Sequence, residues 1–242
     1  MTLLSVNINK IALLRNSRGR NFPDVAAFAA RCLDLGAHGI TLHPREDQRH
    51  ARYSDVRELA ALCAARGCEL NVEGYPSEQF LDVVKAVRPA QCTLVPDAPG
   101  QLTSDHGWDI VKNAELLSRV IGELKPLGIR TSLFVDYDYA HFEAAVEVGA
   151  DRVELYTEPY AEHFGTAEGD AIYAGFGQAV VRATALGLGV NAGHDLNLEN
   201  LPHFLAIGGV LEVSIGHALV AECIESGMEK VVGRYSEIVG GR

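Results

Sequence analysis

The chain has 242 residues, of which 48% are hydrophobic and 22% charged, a balance that excludes a disordered chain and a disulfide-stapled miniprotein. Its formal charge of −11, with no basic stretch set against it, argues against nucleic acid or an anionic membrane as partner. Small anionic substrates stay open, because a few local Arg and Lys side chains can dominate one pocket. Cys32, Cys63, Cys68, Cys92 and Cys223 form no C-x-x-C and read as reduced thiols. The start, MTLLSVNINK, lacks the basic-then-apolar order of a signal peptide, and no apolar run is long enough to span a bilayer. The expectation is a cytoplasmic protein.

In chain order, a first strand is expected at 3–8. A helix follows where Val25, Phe28, Ala29, Cys32 and Leu33 share one face, closed by Gly36. A second strand at 39–43 leads to a helix on Val56, Leu59, Ala60 and Cys63, behind a Ser54 cap and before a stop at Gly67. Strands at 69–73 and 92–96 come next, then a segment, 97–110, long enough to read as a lid or binding loop. Leu116, Leu117, Val120, Ile121 and Leu124 mark a helix stopped by Pro126 and Gly128. Strands at 130–135 and 152–157, a second long segment at 158–170, and strands at 189–193 and 211–216 complete the chain.

Most of these strands are short, β-branched and apolar in a run, as strands buried on both faces should be. Gly36, Gly67, Gly128, Gly149 and Gly187 stand between a helix and the next strand, where left-handed caps belong. Eight strands, each followed by helical sequence, is the count for a closed parallel barrel. The expected fold is a single (β/α)8 TIM barrel with additional helices over 1–242. An open doubly wound sheet is the alternative, but no G-x-G-x-x-G follows the first strand.

A barrel carries its chemistry at the C-terminal ends of its strands. Those ends deliver Asn7, Asn9 and Lys10; His43, Arg45 and His50; Glu73; Asp97 and Thr103; Asp136; Glu154; His194; and His217. Polar residues resume at any strand end, but here nearly every strand supplies a titratable or amide side chain. His43 suits proton transfer near neutral pH. Glu73 follows apolar Leu70 and Val72, so it is either paired with a cation or raised in pKa. Glu154 reads as a barrel carboxylate, in an ion pair or in catalysis. Ala192-Gly193-His194 and Ile215-Gly216-His217 place glycine where free backbone N–H groups hold phosphate, with Arg18 and Arg45 as candidate cations. His43, His194 and His217 with nearby carboxylates also raise a metal site, against which stands the absence of H-x-H and H-E-x-x-H.

The runs VNINKIALLRNSRG (6–19), GITLHPREDQRH (39–50), ELNVE (69–73), LVPD (94–97), SLFVD (132–136), VELYTEPYA (153–161), VNAGHDL (190–196) and SIGHALV (214–220) follow one another over almost the whole chain. Together they resemble the pyridoxine 5′-phosphate synthase family, ring-closing enzymes of the deoxyxylulose-dependent vitamin B6 route. The resemblance implies a transferase-class synthase on a (β/α)8 barrel, commonly a homo-octamer, using neither metal nor organic cofactor. Its two phosphorylated small-molecule substrates would be 1-deoxy-D-xylulose 5-phosphate and 3-amino-2-oxopropyl phosphate.

Carried over by position, the catalytic residues are His43, Glu73 and His194, with Glu154 stabilising the transition state. Asn7, Arg18, Gly216 and His217 match contacts to the aminooxopropyl phosphate, and Arg45, His50 and Thr103 contacts to the deoxyxylulose phosphate. Substrate-binding positions also fall on Asn9 and Lys10, where the family often has Asp-His, and on Asp195, where it often has Gly. The Asp195 carboxylate would oppose a nearby phosphate unless it points away. Two other readings stay open: a different phosphate-binding barrel enzyme, such as a metal-dependent isomerase or aldolase, and an inactive relative kept for binding.

Overall fold

Side chains alternate along the strands, and in the computed structural model, which describes residues 1–97 and 104–240, that alternation makes two cores. Eight parallel strands close in sequential order into a barrel. They are β1 (Leu3–Asn7), β2 (Gly39–Leu42), β3 (Glu69–Gly74), β4 (Gln91–Leu94), β5 (Arg130–Val135), β6 (Arg152–Tyr156), β7 (Gly189–Gly193) and β8 (Val210–Ile215). The first helices are α1 (Asn9–Asn16), α2 (Val25–Asp34), α3 (Tyr53–Arg66) and α4 (Glu78–Val87). They are followed by α5 (Ala114–Leu124), α6 (Phe142–Glu147), α7 (Glu158–Glu162) and α8 (Ala167–Ala185). The chain closes with α9 (Leu201–Leu205), α10 (His217–Ser226) and α11 (Met228–Gly240). This is a TIM barrel with additional helices, as the alternation of patterns predicts.

One set of strand residues, including Leu4, Val6, Ile40, Leu42, Val72, Leu94, Leu133, Val153, Leu155 and Val213, is sealed from solvent in the main apolar core. The other set faces the barrel axis and is polar, contrary to the expectation of strands apolar on both faces. Ser5 and Thr41 share a hydrogen bond at 2.6 Å. At the N-terminal end of the barrel, Arg130 pairs with Glu69, and its Nε donates to Gln91 Oε1 at 2.9 Å. Arg152 donates to Asn191 Oδ1 at 2.9 Å and stands 3.7 Å from Glu212. Polar groups on the axis find one another because eight strands wrap round it.

Three further details differ from the sequence reading. Ser54 does not cap α3: Arg52 is the cap residue, and Asp55 reaches back to accept from its backbone N–H at 2.8 Å. Residues 158–170 are not a loop, since α7 and the start of α8 occupy most of them. Pro126 stands in a 3-10 turn that extends α5 before Gly128 ends it. The five interelement glycines do adopt positive φ, from 64° at Gly67 to 103° at Gly36. All five cysteines are free thiols, and no helix among the described residues is long and apolar enough to cross a membrane.

Candidate active site

β2 ends one residue before His43, and β3 ends on Glu73-Gly74, so both side chains reach the C-terminal mouth of the barrel. The His43 backbone N–H donates to Asn9 Oδ1 at 2.9 Å, and the Asn9 N–H donates to Asn7 Oδ1 at 3.0 Å. Asn9 thus braces the first two strand ends, a task its amide performs without a carboxylate. The His43 imidazole is buried, with Nε2 3.9 Å from Asp97 Oδ2. Burial first, then the positive charge of Arg45, hold its pKa well below 6.5. A neutral imidazole accepts protons.

Arg45 pairs with Asp97 Oδ2, which also accepts from Ser104 Oγ at 2.9 Å. The second oxygen, Asp97 Oδ1, is buried and has no partner among the described residues. Asp97 is therefore a further site residue, one to which the sequence reading gave a strand end but no role. The stretch from Arg45 to His50 is held from behind. Asn16 Nδ2 donates to the His50 carbonyl at 2.8 Å, and Arg15 donates to the same carbonyl at 3.2 Å. Arg15 in turn grips Asp55 with two bonds of 2.6 and 2.9 Å, so α1 and α3 fix this loop together. His50 Nδ1 accepts from the Ala51 N–H at 2.9 Å, and burial pushes its pKa down to about 4.

Two carboxyl groups lie inside the mouth. Glu73 and Glu154 are 9% and 3% exposed, so each must be neutral or compensated. Burial, and then the Glu154 charge, raise Glu73 well above the ordinary carboxylate range. Burial and Glu212 raise Glu154 to about 8, against the Thr93 hydroxyl that donates to it at 3.3 Å. Gly193 makes room for this group, because a Cβ there would stand 2.5 Å from Glu154 Oε1.

β7 ends in a strained turn. His194 and Asp195 both have left-handed backbones, with φ of 88° and 56°. The Asn200 amide donates to the Asp195 carbonyl at 3.2 Å, and Thr157 Oγ1 donates to the Gly193 carbonyl at 2.7 Å. The His194 ring is set against Tyr156 and Phe134, with centroids 5.1 and 5.6 Å away. Burial lowers its pKa, while the Asp195 and Asp97 charges oppose that shift. Asp195 is exposed, its carboxylate 3.9 Å from His194 Nδ1.

The structure brings together His43, Arg45, His50, Glu73, Glu154 and His194. Lys10 stands exposed in the first turn of α1, where its charge is felt at both His50 and His194. Gly216 caps α10 and lies so close to β1 that a Cβ would meet Asn7 Cβ at 3.1 Å; His217 opens the helix and is exposed. Arg18 is exposed in the turn after α1. Thr103 lies outside the described residues, as do 98–102 of the expected lid. The chain just beyond that segment is anchored: Trp108 Nε1 donates to the Leu94 carbonyl at 2.9 Å, and the Gly107 N–H donates to the Asp136 carboxylate at 3.1 Å. Phe134, Tyr156, Asn71, Thr93 and Glu212 also line the interior, and period-two polarity within the strands was their one sequence signal. No three His, Cys, Asp or Glu among the described residues converge as a metal would require.

A family model described as pyridoxal phosphate biosynthesis protein PdxJ matches residues 4–241. The chain belongs to the PdxJ family. Among curated relatives, the pyridoxine 5′-phosphate synthase of Xanthomonas oryzae pv. oryzae is 50% identical over 248 residues, covering 99% of this chain and 97% of its own. The protein of the same name from Parabacteroides distasonis is 50% identical over 236 residues, covering 97% and 98%. Solved structures share the fold alone. Thiamine phosphate pyrophosphorylase from Pyrococcus furiosus superposes with a TM-score of 0.64 at 18% identity, over 99% of this chain and 96% of its own. The Amycolatopsis orientalis BexX/CysO complex gives a TM-score of 0.66 at 14% identity, over 100% and 89%.

Proposed function

We propose that this protein condenses 1-deoxy-D-xylulose 5-phosphate with 3-amino-2-oxopropyl phosphate to pyridoxine 5′-phosphate, phosphate and water. The observation that carries the reading is half identity, end to end, to proteins named for that product. The site supports it. Joining an amine to a ketone needs a base for the nitrogen proton and an acid for the carbonyl oxygen. His43, neutral through burial, is suited to the first task, and the raised carboxyl of Glu73 to the second. Protons must move again as waters and phosphate leave and the ring closes, and the same reading gives those transfers to His194 and Glu154.

Arg45 and His50 are the proposed contacts of the deoxyxylulose phosphate. On that reading, the phosphate competes with Asp97 for the Arg45 guanidinium. The start of α10, at Gly216 and His217, offers backbone N–H groups to the second phosphate, with Lys10 and Arg18 as cations nearby in sequence to Asn7. A homo-octamer in the cytoplasm, working without metal or organic cofactor, belongs to the same proposal.

The test mixes chelator-treated protein with both substrates and follows pyridoxine 5′-phosphate by mass spectrometry together with released phosphate. Product from both substrates, and from neither alone, is expected. Binding of both without product would identify an inactive relative instead, and activity only after metal is restored would identify a metal-dependent enzyme.

A further inference from the structure

Glu73 and Glu154 are joined by two buried side chains to which the proposed reaction assigns no task. Asn71 Nδ2 donates to Glu73 Oε1 at 3.3 Å. Thr93 Oγ1 stands 3.1 Å from Asn71 Oδ1 and 3.3 Å from Glu154 Oε2. The register places Thr93 directly beside Glu73 across β3 and β4. Thr93 is fully buried and Asn71 is 3% exposed, so bulk water does not compete for these bonds.

A threonine hydroxyl has one proton to give and lone pairs with which to accept. It faces two acceptors here and cannot serve both fully. When Glu154 is ionised, its carboxylate is the stronger acceptor and takes the Thr93 proton. Asn71 Oδ1 then loses its donor. When Glu154 is protonated, its own O–H donates to Thr93 Oγ1, and Thr93 donates to Asn71 Oδ1. The amide is then held at both ends, with Nδ2 on Glu73.

Resting on the synthase reading for the work of the two carboxyls, we propose that Thr93 is a positioning residue. With Asn71 it joins Glu73 and Glu154 into one hydrogen-bonded unit whose direction is set by the proton on Glu154. The neighbours leave that proton few other partners. Gly193 of β7 closes on Glu154 Oε1 without a side chain. Glu212 of β8 adds negative charge, and Arg152 and Gln91 are engaged with Glu212. Asp97 and Arg45, beyond β4 and β2, pair with each other and act on Glu73 with opposite signs. Thr41 of β2 contributes an uncharged hydroxyl, 3.5 Å from Asn71 Nδ2.

The experiment compares Thr93→Val, which keeps the shape and removes the hydroxyl, with Thr93→Ser, which restores it. Carboxyl bands are titrated by infrared spectroscopy in the ligand-free protein, with Glu154→Gln identifying the Glu154 band. Losing a donor to the ionised form raises the Glu154 titration above about 8. The expected rise in Thr93→Val is about one pH unit, a tenfold change in proton affinity, with Thr93→Ser close to wild type. In turnover, Thr93→Val lowers kcat about tenfold with KM little changed, shifts the matching limb of the pH profile upward, and is rescued by Ser.

An unshifted Glu154 band in Thr93→Val, or Ser behaving like Val, overturns the proposal. So does an equal loss of kcat at every pH. If Thr93→Val does not fold, Thr93→Ala carries the same titration. Should the wild type make no product, the synthase reading falls, while the infrared titration still decides the role of Thr93.

Discussion

His43 and Glu73 are opposite kinds of ionisable group driven to the same condition. Burial favours the neutral form of each, so the imidazole loses basicity and the carboxyl gains it. Such a pair can pass protons near neutral pH without holding a charge in the resting site. Glu73→Gln keeps the shape and the hydrogen bond from Asn71 but removes the exchangeable proton. It is expected to fold, to melt no lower than wild type at neutral pH because Gln carries none of the cost of keeping a buried carboxyl protonated, and to lose about 10²- to 10⁴-fold in kcat. Steady-state kinetics and a thermal melt check this, and near-normal kcat would remove Glu73 from the mechanism.

At the scale of elements, the end of β7 shows how backbone serves chemistry. Gly193 is there because Glu154 occupies the space of its missing Cβ. Gly193→Ala is expected to displace the carboxyl, lowering kcat more than tenfold and costing about 1–3 kcal/mol in urea unfolding. Two residues later, Asp195 holds a left-handed backbone that glycine would adopt without strain. Asp195→Gly is expected to leave stability unchanged or raise it by up to about 1 kcal/mol. It should also tighten, or leave unchanged, binding of the aminooxopropyl phosphate by calorimetry, because a carboxylate is removed from the site's rim. Clear weakening would show that Asp195 makes a productive contact.

For the whole molecule, a polar barrel axis has a consequence for stability. Glu73, Glu154 and Glu212 are all raised by burial, whereas in the unfolded chain they titrate near the ordinary 4.5. The folded state therefore holds protons that the unfolded state releases. The stability tied to these carboxyls is complete below 4.5 and is lost as pH rises, for Glu154 through about 8. His43 and His194 act in the other direction: their depressed pKa values cost stability as pH falls below 6.5. Above 6.5 the cost at His43 and His194 fades while the carboxyl trend continues to about 8, and His163, raised by its bond to the Pro159 carbonyl, adds to it in the same sense. Urea unfolding across that window should show stability falling with pH, by up to about 1.4 kcal/mol per pH unit for each group that differs fully. Glu154→Gln should make the fall shallower.

Strands, helix stops and the C-terminal placement of His43, Glu73, Glu154 and His194 were all legible in sequence. They depend on neighbours a few residues apart: apolar period, a glycine with positive φ, a polar residue where a strand runs out. The Ser54 cap shows the limit even there, since Asp55 reached back to Arg52 instead. Which strand face lines the axis was not legible, because both faces are buried and period two does not name them. That is why nothing in the sequence singles out Asn71, Thr93 and Glu212. Asp97 was visible as a strand end, but its pairing with Arg45 was not. Barrel closure alone brings Thr93 to Glu154, 61 residues later, and Gln91 to Glu212, 121 residues later. The protonation of the site belongs to that closure too, because a group's pKa is set by the water it has lost and the charges it has met.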